Sequence, residues 1–542
     1  MNIKKRSFDL PTALRTSFEK YSNRAALGFA GEQVITYKEL KEQVETLAAK
    51  LQSIGIGSGS KIAILSSNMP NWAVSYFAIA YTGAIVVPIL PDFSNKEVTN
   101  ILEHSETEAV FTSSLLISKI DTDVLPKLKV FSIENFEEIT KNGSVSISDA
   151  TASDYQKVVI DENQLLSIIY TSGTTGVSKG VMLSHKNILW TAYQCRHLQP
   201  IDENDRFLSI LPLSHTFENT LGLIYPTLYG SSMHYLRKAP TAAALLPALK
   251  QVQPTLMFSV PLIIEKIYRG KILKEINNSV ITKSLYRFRP TRIILSRIIG
   301  KKLAKTFGGK LKFFGVGGSK LDNECERFLM DAKFPLAIGY GLTETSPLLA
   351  GGVKGNLRYL STGATFSGVK LRIANADPIS GEGEIQAKGE NIMQGYYKND
   401  DLTKQSFTED GWFKTGDLGK FEKGSLFIKG RIKNMILGAS GENIYPEEIE
   451  SLINRKDYVL ESLVLEQKGK LIAMVHLNIE ELEERYIQFK GSLHEKVDEI
   501  LREIQKSINE DVNKFSRLQT VMLQPIPFEK TPTMKIKRFL YS

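Results

Sequence analysis

A chain of 542 residues is too long for one hydrophobic core and predicts two or more domains. Its 42% hydrophobic and 23% charged content excludes a disordered polymer and is ordinary for a soluble globular protein. Two cysteines, Cys195 and Cys325, exclude a disulfide framework and fit a reducing compartment such as the cytoplasm, while the net charge of +9 is unevenly distributed.

The first residues, Met1-Asn-Ile-Lys-Lys-Arg, resemble the start of a signal peptide, but Ser7–Lys20 carries charges where an apolar stretch should fall. Tyr37–Ile54 predicts an amphipathic helix and Lys61–Leu65 a buried strand. Trp72–Leu90 contains nineteen residues without a charge, long enough for a membrane span. Gly83 and Pro88 interrupt it, so a buried helix ending near Gly83 and a strand Ile85–Leu90 is the better account. Lys96–His104 reads as helix and Ala109–Thr112 as strand. Strands alternating with helices imply an α/β fold, a large N-terminal part of mainly parallel sheets layered with helices.

Leu165–Tyr170 predicts a strand leading into Tyr170-Thr-Ser-Gly-Thr-Thr-Gly-Val-Ser-Lys-Gly180. Val181–Leu183 returns as strand, Ser184 is a candidate N-cap, and His185–His197 a helix. Phe207–Leu211, Ser231–Leu236 and Leu311–Gly315 are further strand candidates. Between Lys266 and Lys312 stand fourteen Lys or Arg and one acid, Glu275. There Leu295, Ile299, Leu303 and Phe307 keep helical spacing with Arg297, Lys301, Lys302 and Lys305 between them. Two readings stay open, a solvated face over a core helix and peripheral contact with an anionic membrane on its inner face. No nucleic-acid motif accompanies the basic segment. After about Arg431 the texture changes to β pairs over Leu463–Leu477, a charged helix Leu493–Ile508, the strand Thr520–Leu523 and a basic tail. This predicts a small α+β domain over residues 431–542 after a larger one over 1–430, with the boundary near Gly430–Lys433.

The chemistry gathers in five stretches. In the loop after Tyr170, glycines let backbone N–H groups turn around a polyanion, hydroxyls add donors, and Lys179 adds positive charge. Gly precedes Lys in a Walker A loop, whereas here Ser178 does, so the loop is of another kind. Gly315-Val-Gly-Gly-Ser319 lets the backbone approach a flat ligand. Gly339-Tyr-Gly-Leu-Thr-Glu-Thr345 brings together an aromatic ring, a hydroxyl and a carboxylate able to hold Mg²⁺. Trp412-Phe-Lys-Thr-Gly-Asp417 offers a carboxylate to vicinal ribose hydroxyls, and Gly430-Arg-Ile-Lys433 fixed positive charge.

On these residues the chain resembles the adenylate-forming (AMP-binding) superfamily, and within it the long-chain fatty acyl-CoA synthetases, from about Thr36 to Arg538. Y-T-S-G-T-T-G-x-x-K-G, G-Y-G-x-T-E, T-G-D and G-R-x-K appear in order. The resemblance implies a large N-terminal domain, a small mobile C-terminal one and an active site between them. It implies that Thr171, Ser172, Gly173, Thr174, Thr175, Gly176 and Lys179 cradle phosphates, that Thr343 touches the α-phosphate, and that Glu344 ligates Mg²⁺. Gly317, Gly318, Ser319 and Tyr340 belong to the adenine site, Asp417 and Arg431 to the ribose, and Gly341 counts among the nucleotide-binding residues. Lys433 falls at the hinge, Gly441 and Glu442 on the loop shaping the thiol tunnel, and Lys535 at the catalytic lysine, with Lys537 a close neighbour. Two departures stand out: Met534 precedes Lys535 where Gly is common, and Asn434 follows the hinge where an acid is common. In Leu211-Pro-Leu-Ser-His-Thr-Phe-Glu218, the resemblance places His215 and Phe217 near the acyl carboxylate, the plain alternative being a satisfied core histidine. The Asp that pairs with a substrate ammonium in amino-acid-activating relatives is missing here, which implies an uncharged tail. The implied reaction is activation of a fatty acid by ATP, with Mg²⁺, through an acyl-adenylate and then transfer to CoA. Transfer to the phosphopantetheine of an acyl carrier protein, or nucleotide binding without chemistry, are the alternatives.

Overall fold

The computed structural model describes residues 6–171, 178–437, 443–467, 469–486, 493–531 and 535–541. Two nine-stranded sheets build the large N-terminal part. In one, Leu165–Thr171, Ile85–Ile89, Lys61–Leu65, Ala109–Thr112 and Lys129–Ser132 run parallel in that spatial order. In the other, Leu336–Tyr340, Phe313–Val316, Leu256–Ser259, Arg206–Ser209, Ser232–Tyr235 and Ala25–Phe29 do the same. Parallel strands covered on both faces need continuous apolar runs, which is what these segments carry.

The uncharged stretch near residue 80 becomes the helix Pro70–Tyr81 and the strand Ile85–Ile89. Every residue from Trp72 to Tyr81 is buried, and the helix touches strands of both sheets. A helix apolar all round needs cover all round, and the space between two sheets supplies it. Among the described residues, no helix is long and apolar enough to cross a membrane. Near the N-terminus, the charged stretch after Ser7 forms the helix Leu10–Lys20, capped by Asp9.

A four-stranded antiparallel sheet, Lys370–Ala374, Gly383–Lys388, Phe413–Glu422 and Ser425–Arg431, follows the large sheets. Hydrophobic periodicity does not disclose it. Phe413–Glu422 does alternate, but its inward positions are Phe413, Thr415, Asp417 and Gly419, so little hydrophobic alternation shows.

From Ile436 onward the apolar side chains feed a separate core that includes Ile449, Ile453, Val464, Val475, Leu501 and Ile504. It lies between the three-stranded sheet Val459–Gln467, Lys470–Leu477 and Thr520–Leu523 and the helices Pro446–Ile453 and Leu493–Asp511. The molecule is therefore α/β, a large N-terminal domain of layered sheets and helices and a smaller α+β C-terminal one.

The basic segment contains the helix Arg289–Thr306. Ile299 and Leu303 in it, and Phe307 after it, are buried and Leu295 half-buried, while Arg297, Lys301, Lys302 and Lys305 are exposed. Its inner side is thus a core helix and its outer side a cationic face.

Candidate nucleotide and acyl site

Three segments leave adjacent parts of one parallel sheet at the carboxyl ends of its strands. Gly317–Ser319 follows Phe313–Val316, Gly341–Thr345 follows Leu336–Tyr340, and the stretch 210–218 follows Arg206–Ser209. Open parallel sheets bind ligands at that end. Glycine is needed where the chain packs tightest: a Cβ on Gly341 would lie 1.8 Å from the Pro347 carbonyl oxygen. Gly318 has φ +90°, and a Cβ on Gly317 would meet the Phe217 ring at 3.3 Å. Ser319, beside Gly318, is exposed.

Asp417 and Arg431 face each other across the antiparallel strands Phe413–Glu422 and Ser425–Arg431. Arg431 Nε lies 3.0 Å from Asp417 Oδ1. The Tyr340 phenol donates to Asp417 Oδ2 at 2.8 Å. Behind them, the Asp417 N–H donates to the Thr415 hydroxyl at 3.1 Å, which itself donates to the Ile385 carbonyl at 2.7 Å. Burial pushes the Asp417 carboxyl up, and Arg431 and Tyr340 pull part of the way back. The guanidinium keeps its charge at every working pH, and at 3.0 Å it favours the ionised form of Asp417 against the burial that opposes it. Oδ2 accepts the Tyr340 bond while Oδ1 meets Arg431 as an ion pair, so both oxygens keep lone pairs for a hydroxyl ligand.

A second cluster forms around Glu344, in the turn Thr343–Thr345 with Thr343 buried. Glu344 Oε1 accepts from the Tyr396 phenol at 2.8 Å, and Lys179 Nζ lies 5.5 Å from the centre of the Tyr396 ring. Burial and the nearby charge of Lys433 push the Lys179 ammonium below its usual value, with Glu344 opposing. Lys433 thus stands within electrostatic reach of Lys179, in the turn Ile432–Asn434. Thr171 and Lys179 pair across an antiparallel hairpin. Ser172, Gly173, Thr174, Thr175 and Gly176, together with Gly441 and Glu442, lie outside the described residues.

Lys535 stands within electrostatic reach of both clusters. It keeps solvent-exposed surface, yet the protein around it desolvates the ammonium and, with Arg431, lowers it, while Asp417 and Glu344 oppose that shift. Its charge also reaches His215, whose ring is pushed down to about 4 by burial first and Lys535 second. Lys537 instead pairs with Glu529 at 3.7 Å, so of the two lysines Lys535 faces the site. His215 Nδ1 accepts the Phe217 N–H at 3.2 Å, which leaves the proton of the neutral ring on Nε2. Phe217 packs edge-on against Phe258 with ring centres 5.2 Å apart.

Sequence reasoning missed Tyr396, which holds Glu344 from 52 residues away. It also passed over the state of Glu218, whose carboxyl burial raises to about 8. A neutral acid leaves this stretch without negative charge, in keeping with an uncharged ligand tail. For Mg²⁺ the fit is that of a shared site. Among the described residues no set of three acidic, His or Cys groups encloses an ion, but Glu344 has one oxygen oriented by Tyr396. Mg²⁺ is commonly held by one carboxylate and substrate phosphates, so the donor set fits.

Cationic, carboxylate and glycine-rich segments from three sheets gather around one end of a parallel sheet, an arrangement suited to a nucleotide and its phosphates. The sequence profile of the AMP-binding enzyme family matches residues 14–397, and the chain belongs to that family. It is an adenylate-forming ligase. The chain is 28% identical to a chloroplastic long-chain-fatty-acid–[acyl-carrier-protein] ligase of Arabidopsis thaliana, covering 98% of this chain and 84% of the relative. It is also 28% identical to the long-chain-fatty-acid–CoA ligase heimdall of Drosophila melanogaster, covering 82% and 72%. Its fold matches the O-succinylbenzoate coenzyme A synthetase of Bacillus subtilis, solved in complex with ATP and magnesium ion. There the TM-score is 0.75 and the identity 21%, over 97% of this chain and 98% of the other.

Proposed function

We propose that this protein activates a fatty acid, of long chain, with ATP and Mg²⁺ and transfers the acyl group to CoA, releasing AMP and pyrophosphate. The observation that supports the reading is that Lys535, from the C-terminal region, lies within electrostatic reach of Asp417, Arg431 and Glu344, the two carboxylates themselves held by Tyr340 and Tyr396. The fatty-acid carboxylate attacks the α-phosphorus of ATP, and the bond to the β-phosphate oxygen breaks. Negative charge accumulates between two anions, and Lys535 is the mobile cation placed to stabilise it. Asp417 and Arg431 hold the ribose, with Tyr340 fixing the carboxylate and Gly317, Gly318, Ser319 and Gly341 giving adenine close backbone contact. Thr343 bonds the α-phosphate, and Thr171 and Lys179, the described ends of the loop, hold the β- and γ-phosphates. Glu344 would hold Mg²⁺, which supplies charge neutralisation to the phosphates. Neutral His215 offers an Nε2–H to the acyl carboxylate without adding a proton equilibrium near pH 7.

The thiol step needs other neighbours. We place the division between two moving parts at about residue 430, with Lys433 at the hinge and the segment of Gly441 and Glu442 taking the place of Lys535 for attack on the acyl carbon. Such a rotation gates the two half-reactions and adds nothing to either barrier. The second reading, transfer to an acyl carrier protein, is favoured by one fact: a carrier-protein ligase and a CoA ligase are equally similar to this chain at 28%.

The test measures pyrophosphate release over fatty acids of graded length with CoA, with holo acyl carrier protein and with neither. Turnover that rises with chain length and continues only with CoA supports the proposal. Turnover sustained by carrier protein alone moves the acceptor. No pyrophosphate release with any fatty acid refutes the substrate class.

A further inference from the structure

The connection between strands Leu256–Ser259 and Phe313–Val316 spans residues 260–312, several times the dozen or so residues a parallel crossover requires. It ends in two helices, Val280–Arg287 and Arg289–Thr306, that pack on each other and meet at Phe288. In the longer helix the buried residues Ser296, Ile299 and Leu303 face the protein body. At 100° per residue, Ile294 and Ile298 fall on the opposite side, and they are 57% and 52% exposed. In the shorter helix Tyr286, half-buried against the main core, marks the inner face. Ile281 and Leu285 stand at i, i+4 on the outer face, 73% and 41% exposed, and Phe288, the extended residue joining the two helices, is 65% exposed beside them. Single exposed apolar residues are ordinary, but stripes turned outward on two neighbouring helices mark a contact surface.

The stripes are set among cations. Lys283, Arg287, Arg289, Arg297, Lys301 and Lys305 are exposed. The one acid of the segment, Glu275, is already engaged by Lys302. We propose that this helical hairpin docks on a bilayer surface rich in anionic lipid, with Ile281, Leu285 and Phe288 entering the headgroup boundary and the cations facing lipid phosphates. Charge selects this occupant. A second copy meeting the same patch about a twofold axis would set cations against cations. A nucleic acid would satisfy the cations but leave the apolar stripes uncovered. An amphipathic helix with cations beside its apolar face suits an anionic interface, where both kinds of group are satisfied. The proposal rests on exposure and charge alone and is independent of which acid the enzyme activates.

The test sediments the full chain with vesicles of phosphatidylcholine alone and of phosphatidylcholine with phosphatidylglycerol, at low and high salt. Two variants accompany it, Ile281→Ser with Phe288→Ser, and Lys301→Glu with Lys305→Glu. Binding should favour the anionic vesicles, weaken with salt, and fall by about tenfold in each variant. Pyrophosphate release with a water-soluble acid should stay at the parent level in both, which separates loss of docking from loss of folding or activity. Equal binding to both vesicle types, or parent-level binding by the Ile281→Ser, Phe288→Ser variant, would overturn the proposal. So would a concentration-dependent dimer, without vesicles, that this variant abolishes.

Discussion

Lys535 lies within electrostatic reach of one guanidinium and two carboxylates, and in the proposed mechanism its ammonium stabilises the charge that builds up at the α-phosphate. Lys535→Met keeps the stem and removes the charge. Pyrophosphate release from ATP and fatty acid should fall by about a hundredfold or more, while thioester formation from supplied acyl-adenylate persists. Undiminished pyrophosphate release would remove Lys535 from the mechanism. Glu218 carries the second residue-scale expectation. Its Oε2 has no hydrogen-bond partner among the described residues, and a Cβ on Gly222 would lie 2.6 Å from its Oε1. Burial raises the carboxyl from 4.5 to about 8, so the folded chain holds a proton that the unfolded chain releases. The stability this group contributes is full below its unfolded value and is lost as pH rises through the folded one, at about 1.4 kcal/mol for each pH unit that separates the two. Glu218→Gln removes that titration. Its melting temperature should therefore gain on the parent between about pH 5 and about pH 9, and parallel curves would show that Glu218 does not titrate there.

At the scale of elements, the turn from Leu336–Tyr340 to Thr343–Thr345 works because backbone passes backbone with no side chain between. Gly341→Ala would force its Cβ into the Pro347 carbonyl, 1.8 Å away without movement. The expected cost is about 1–3 kcal/mol of stability, read in a denaturant titration, with a raised KM for ATP. Unchanged values of both would show that the turn yields freely. This turn was legible in the sequence because its chemistry is contiguous: glycine, tyrosine, threonine and glutamate fall within seven residues. The strands around it were legible too, since burial on both faces imposes apolar runs. Other parts were hidden for physical reasons. Tyr396 meets Glu344 only after the chain folds, and nothing local marks a tyrosine as a hydrogen-bond donor to a distant acid. The sheet holding Asp417 and Arg431 buries Thr, Asp and Gly on its inner side, so its alternation is one of exposure and hardly of hydropathy. The raised carboxyl of Glu218 depends on packing that spacing does not encode.

For the whole molecule, the two cores are separate but polar contacts tie the regions that contain them. Arg455 Nε lies 2.9 Å from Asp322 Oδ2, and Arg269 Nη1 donates to the Asn454 carbonyl at 2.6 Å. The Tyr445 phenol donates to Glu382 Oε2 at 2.9 Å. In the arrangement described, these contacts accompany Lys535 at the site. Arg455→Ala removes a partly buried pair, which costs about 1 kcal/mol and biases the molecule away from this arrangement by roughly fivefold. Pyrophosphate release in single turnover should slow by a similar factor, while thioester formation from supplied acyl-adenylate should hold or rise. Equal slowing of both steps would show that the pair serves general stability.

Asp322 also caps the helix Asn323–Asp331, accepting the N–H groups of Glu324 and Cys325 at 2.9 Å through its other oxygen. It stands three residues beyond Ser319, so the glycine turn proposed to meet the base and the contact with the C-terminal region share one carboxylate. Thermodynamic linkage makes that sharing reciprocal. Whatever factor ATP adds to docking of the C-terminal region, docking adds to ATP affinity. Under the proposed function, a loss of that contact would lower nucleotide affinity by the same factor by which nucleotide favours docking.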